Sequence, residues 1–93
     1  MSSFAARREP LAVDVQVTED EITVSLADGR RLSAPLVWFP RLLAASAAAR
    51  SNWRLIGDGE GVHWPDADED ISVEALMLGV PSVDYSQRVG GGA

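Results

Sequence analysis

The chain contains no cysteine, no lysine and a single histidine, His63, among its 93 residues. Without thiols there is neither a disulfide scaffold nor a thiolate-held zinc. With one imidazole, a catalytic site of two histidines and a carboxylate cannot form within one subunit. No run of the sequence approaches the ~18 apolar residues of a membrane-spanning helix. The opening "MSSFAARREPLAVDV" lacks the apolar core and cleavage pattern of a secretory signal. A cytoplasmic protein is the expectation, with no membrane association. Positive charge is also missing from one region. Residues 55–87 hold eight carboxylates and no Arg or Lys, a net of −8, whereas residues 1–54 hold seven Arg against six carboxylates, a net of +1. With Arg88 the total is −6. A half-chain of that charge repels phosphate. Arg7, Arg8, Arg30, Arg31 and Arg41 are too few to offset it, so direct nucleic-acid binding is not expected.

What is present argues for one small domain with a genuine core. The apolar fraction is 46% and three of the aromatic residues are Trp, a composition that disordered chains do not have. Residues 1–9 are polar and basic and read as a flexible N-terminus. Residues 10–82 carry the periodic patterns of a single domain. Residues 83–93 read as a flexible Gly-rich tail.

The domain opens with period-two alternation. Leu11, Val13, Val15 and Val17 share one face, and after the turn "TEDE" the pattern resumes in Ile22, Val24 and Leu26. Asp28-Gly29 is a hairpin signal, read as a two-residue turn with positive φ at both positions. A third strand then runs from Arg30 to Leu36. Pro40 suits the first turn of a helix, and "RLLAASAAAR" carries that helix to about Arg50. Residues 52–57 and 62–64 read as a short hairpin around "GDGEG". Ser72 is placed to cap a short helix, "VEALMLG", that Gly79 stops. The expected fold class is α+β: a three-stranded antiparallel meander, a helix, a short β-hairpin and a short helix.

The chemistry concentrates in "GVHWPDADEDIS", residues 61–72. Asp66, Asp68 and Asp70 match the first three ligand positions of an EF-hand loop, but the required Gly is Ile71 and the bidentate Glu is Met77. A metal or small-molecule site around His63 and the acidic loop is the alternative reading of this stretch, although a strand histidine between Val62 and Trp64, hydrogen-bonded or partly exposed, is the commoner explanation of His63. No serine lies on a Gly-x-Ser-x-Gly elbow. "GDGEG" leads into a strand rather than a helix, so it is no phosphate cradle. No catalytic set emerges, and no cofactor is implied. Trp38, Phe39, Trp53 and Trp64 suit the core, while a Trp beside an exposed edge would serve as a binding anchor.

The order of motifs also carries a resemblance. A hairpin with Leu26, Asp28, Gly29 and Arg30 is followed by "APLVWFPRLLAAS" (34–46), "WRLIGDGEGVHWPDADEDISVEAL" (53–76) and "LMLGVPS" (76–82). This order resembles the bacterial DUF2442 family of small domains of unknown function. Ala67 stands where the family more often has leucine. The resemblance implies an α+β domain and supplies no catalytic residues. The genes of such domains often neighbour those of another small family, DUF4160, an arrangement suggestive of toxin–antitoxin pairs. The functional expectation is therefore a non-catalytic interaction module, antitoxin-like or regulatory. Asp66, Asp68, Glu69, Asp70 and Trp64 would meet another protein, a small basic toxin-like one, and the charges would speed encounter. A homodimer through the Ala-rich face of the 40–50 helix or a meander edge is the other expected contact.

Overall fold

A computed structural model describes residues 10–90 of the chain, with side chains through residue 87. The expected flexible segment 1–9 lies outside the described residues. Strands β1 (Ala12–Val17), β2 (Glu21–Leu26) and β3 (Arg31–Pro35) form an antiparallel meander in that order. A 3-10 turn (Leu36–Trp38) leads to α1 (Pro40–Leu43) and α2 (Ala47–Ser51). Strands β4 (Arg54–Ile56), β5 (Gly61–Trp64) and β6 (Glu69–Ser72) form a second antiparallel meander. Two helices follow, α3 (Val73–Leu78) and α4 (Val83–Gly90). The fold is α+β, as expected, with one strand more than the expected hairpin.

The two sheets share one core. Ile22, Val24 and Leu26 of β2 are all buried, as their alternation requires, against Leu36, Phe39 and Leu42 from the helical segment and Val62, Trp64 and Ile71 from the second sheet. β1 departs from the expected phase. Ala12 pairs with Leu26 but the next pair is Asp14 with Ser25, so Val13 is the extra residue of a bulge. The bulge turns Ala12 and Val15 inward and leaves Val13 54% exposed. Its cause lies in the other sheet. The Ala12 N–H donates to the Gly59 carbonyl at 2.8 Å, which draws the "GDGEG" turn against the backbone of β1. Gly59 sits at φ +116°, and a Cβ there would lie 2.5 Å from the Ala12 carbonyl oxygen.

Three further elements differ from the sequence pattern. The 40–50 helix is two helices, because Ser46 breaks it. The Ser46 hydroxyl accepts from the Ala49 N–H and starts α2 afresh. The Arg50 guanidinium then donates to the Leu42 and Leu43 carbonyls at the end of α1, the first of which also accepts from the Ala45 N–H. The Ala-rich face expected as a self-contact is thus divided between two short helices. The Asp28-Gly29 turn is wider than two residues: only Gly29 has positive φ, the Leu26 N–H reaches the Arg30 carbonyl, and Asp28 Oδ1 accepts from the Arg30 N–H. Finally, the expected flexible tail is helical from Val83 to Gly90, and its residues 91–93 lie outside the described residues. Ser82 accounts for that start, since its hydroxyl accepts from the Tyr85 N–H while donating to the Trp38 carbonyl at 2.8 Å. Ser72 and Gly79 bracket α3 as expected, with Gly79 at φ 75°.

Gly59 and Gly29 offer a controlled comparison, since both have positive φ but a Cβ at Gly29 meets nothing within 4 Å. Gly29→Ala should cost about 1 kcal/mol from backbone strain alone, and Gly59→Ala about 2 kcal/mol or more. Urea unfolding of both variants checks this. Equal losses would show that the Ala12–Gly59 approach is not a constraint.

Candidate functional site

Register decides what the acidic segment presents. β5 and β6 pair with Trp64 opposite Glu69 and His63 opposite Asp70. The intervening Pro65–Asp68 is a four-residue turn, closed by Asp68 at φ 53°, a left-handed conformation that Asp tolerates better than most residues. Strand alternation then points Glu69 and Ile71 inward and Asp70 and Ser72 outward. The segment expected to be a loop is half strand, and its carboxylates do not form one face.

Each goes to a different partner. Asp66 accepts from the Asn52 amide at 3.0 Å. Asp70 is hydrogen-bonded to Nδ1 of His63, directly across the strand pair. Asp68 lies 3.4 Å from an Arg41 terminal nitrogen, with its side chain 92% exposed. Glu69 is only 8% exposed. Trp64 is fully buried, and its indole N–H donates to the Arg50 carbonyl at 3.0 Å. Trp64 is therefore a core residue with no surface to offer a partner, a correction to its place among the expected contact residues. Among the described residues no three His, Asp or Glu side chains are arranged to hold a metal ion.

The residue that organises this region stands 27 positions from it in the chain. Arg41, on α1, donates from Nη1 to the Asp68 carbonyl at 2.7 Å and from Nε to Asp84 of α4 at 2.8 Å. One guanidinium thus joins α1, the β5–β6 turn and α4. These elements enclose a cleft of about 590 Å³, bounded by Phe39 and Arg41, by Asp68 through Ser72, and by Val80 through Asp84. Its carboxylates are Asp68, Glu69, Asp70 and Asp84 and its one cation is Arg41, a net of −3 with all ionised. Burial pushes the Glu69 carboxyl above its ordinary value, and Asp84, Asp70 and Asp68 add to the rise while Arg41 opposes it. The only sequence signal for Arg41 was its position behind Pro40 in "FPRL". Asp84 had none, because its segment carried tail composition.

Two outcomes follow from this geometry. Arg41→Ala should leave the core intact, costing no more than about 1 kcal/mol because the ion pairs are exposed. Amide exchange in α4 should accelerate while that of β2 does not, and unchanged α4 protection would show the tie to be idle. The second concerns pH. Folded Glu69 holds its proton to higher pH than the unfolded residue, whose ordinary value is 4.5. The favourable contribution is complete below that value and is lost as pH rises through the raised folded one. Glu69→Gln cannot ionise, so its stability relative to the parent should climb across that window. Urea midpoints measured at several pH values would show the climb, and a flat difference would contradict it.

Known proteins place the chain by its fold. The family described as "Protein of unknown function (DUF2442)" matches residues 12–82. A crystal structure of a protein of unknown function from Rhodospirillum rubrum is similar at TM-score 0.70 and 27% identity, covering 82% of this chain and 94% of its own. A solution NMR structure of an uncharacterized protein from Chromobacterium violaceum is similar at TM-score 0.70 and 21% identity, covering 86% of this chain and 75% of its own. Among curated proteins none matches the chain.

Proposed function

We infer that this chain, which belongs to the DUF2442 family, works without catalysis as a protein-interaction module, its contact surface centred on the acidic cleft and the apolar ridge beside it. The observation that carries this reading is the ridge. Between Met77 and Val83 the chain exposes four large apolar side chains, with Leu78 at 70% and Val83 at 68%. Val80 and Val83 also border the cleft. An apolar centre rimmed by charge is the anatomy of a protein interface, and isolated apolar residues would not need this arrangement.

Asp66, Asp68 and Asp70 remain exposed, and Asp68 and Asp70 border the cleft. They favour a basic partner, raising the rate of encounter more than the final affinity. An antitoxin-like or regulatory role, with a small basic protein as the partner in the cytoplasm, fits such a surface. No helix among the described residues is long and apolar enough to cross a membrane. Glu69 and Trp64 contribute from the interior, Trp64 by fixing the register that sets the acidic side chains.

Capture from the native host's lysate tests the reading, at low and at physiological salt. One basic protein should be retained in stoichiometric amount, and less of it as salt rises. Asp66→Lys with Asp70→Lys should reduce its retention about tenfold, and Leu78→Ser should do likewise without affecting folding. Retention indifferent to both variants and to salt would refute the proposed surface.

A further inference from the structure

Glu69 differs from every other carboxylate of the cleft. Asp68 and Asp84 lie on Arg41, and Asp70 lies on His63. The Glu69 carboxylate receives no hydrogen bond from a described side chain, although the residue is only 8% exposed. Among the described residues no buried side-chain oxygen is both sealed from solvent and unpaired, so this carboxylate opens onto the cleft it borders. A carboxylate so deeply placed without a donor is costly, and a cation brought from outside relieves that cost. Arg41 does not fill the role, since its guanidinium is turned to Asp84 and to the Asp68 carbonyl and carboxylate and forms no ion pair with Glu69.

We propose that the cleft between α1, β6 and the α3–α4 connection is a receptor for an arginine side chain of the partner protein, with Glu69 as the carboxylate that takes the guanidinium. The proposal rests on the interaction reading above and names the group recognised. The cleft walls favour arginine over lysine. Phe39, Ile71, Ala75 and Pro81 line it with apolar surface, suited to a long aliphatic stem. A guanidinium gives up water more readily than an ammonium and presents a fork of donors to the carboxylate. Asp68 and Asp70 at the mouth draw the cation in, and Val80 and Val83 receive the apolar neighbours of the arginine. Cation binding also favours ionised Glu69, so affinity rises with pH through the Glu69 titration. Arg41 from α1, Asp84 from α4, and Asp68 and Asp70 from the turn and strand set where that occurs.

The test titrates the ¹⁵N-labelled full chain with the blocked peptide Leu-Ala-Arg-Ala-Leu and with the same peptide carrying citrulline, arginine's neutral isostere. The arginine peptide should shift the amides of residues 69–72, Val80 and residues 82–84 and bind about tenfold tighter than the citrulline peptide. Glu69→Gln should erase that advantage, whereas Asp14→Asn, an exposed carboxylate of β1 that does not border the cleft, should change it less than about twofold. The citrulline comparison uses the unaltered chain, so it stands even where Glu69→Gln folds poorly. Equal binding of the two peptides, or an arginine preference that survives Glu69→Gln in a folded variant, overturns the receptor. The two proposals fail separately. Partner capture that depends on Leu78 but not on Glu69 leaves the interaction module and removes the receptor. An arginine preference that needs Glu69, with no protein captured, keeps the receptor and removes the partner assigned to it.

Discussion

Burial of the Trp64 indole is the constraint on which the rest of the molecule depends. Removing a buried aromatic typically costs about 3–5 kcal/mol, against a total stability for a small domain of about 5–15 kcal/mol. Trp64 also connects elements by specific bonds. Its N–H donates to the carbonyl of Arg50, and the Arg50 side chain donates to the last carbonyls of α1. From α1, Arg41 reaches the turn that follows Trp64 and the helix beyond. The core thus fixes the cleft through a short series of contacts, each with one donor and one acceptor. Register is part of the same constraint, because a slip of one residue at Trp64 would turn Glu69 outward and Asp70 inward.

Much of this was legible in the sequence wherever local pattern and tertiary demand agreed. Ile22, Val24 and Leu26 alternate and are buried alternately; Ser72 and Gly79 begin and end α3 where their chemistry places them. The order of motifs identified the family, and the family match confirms it. Local pattern failed where a distant residue intervened. Nothing in "LAVDVQV" announces that Gly59 will take the Ala12 N–H and shift the phase of β1. Helix propensity favoured one helix over "RLLAASAAAR", and a single serine hydroxyl competing for a backbone N–H divided it. Glu69 to Ser72 read as loop because acidic residues are poor strand formers, yet pairing with β5 and burial of Ile71 outweighed that preference.

The cleft is the part least visible beforehand, for a physical reason. Its organising pairs join residues 27 and 43 positions apart, and no periodicity relates such positions. The sequence showed a run of carboxylates and suggested a single acidic face. The folded chain distributes them: one on an amide, one on an imidazole, one on a guanidinium and one into the interior. Charge counted along a chain therefore says little about charge presented on a strand, where neighbours point to opposite sides. What survives is the sign of the region, and that sign is concentrated where the apolar ridge begins.

The contact between Ala12 and Gly59 has a further consequence for the solubility of the sheets. Every open three-stranded sheet has two outer strands whose free N–H and C=O groups can template an incoming chain. In this molecule each outer strand is blunted by a different device. β1 gives its first N–H to the Gly59 turn and kinks at the bulge. β3 ends in Pro35, which has no N–H to offer, and carries Arg31 at its start. β4 is three residues long and begins with Arg54, while β6 places Asp70 outward. The close approach that decides the phase of β1 is thereby also a safeguard against cross-β self-templating, in a chain whose valine-rich first strand would otherwise invite it.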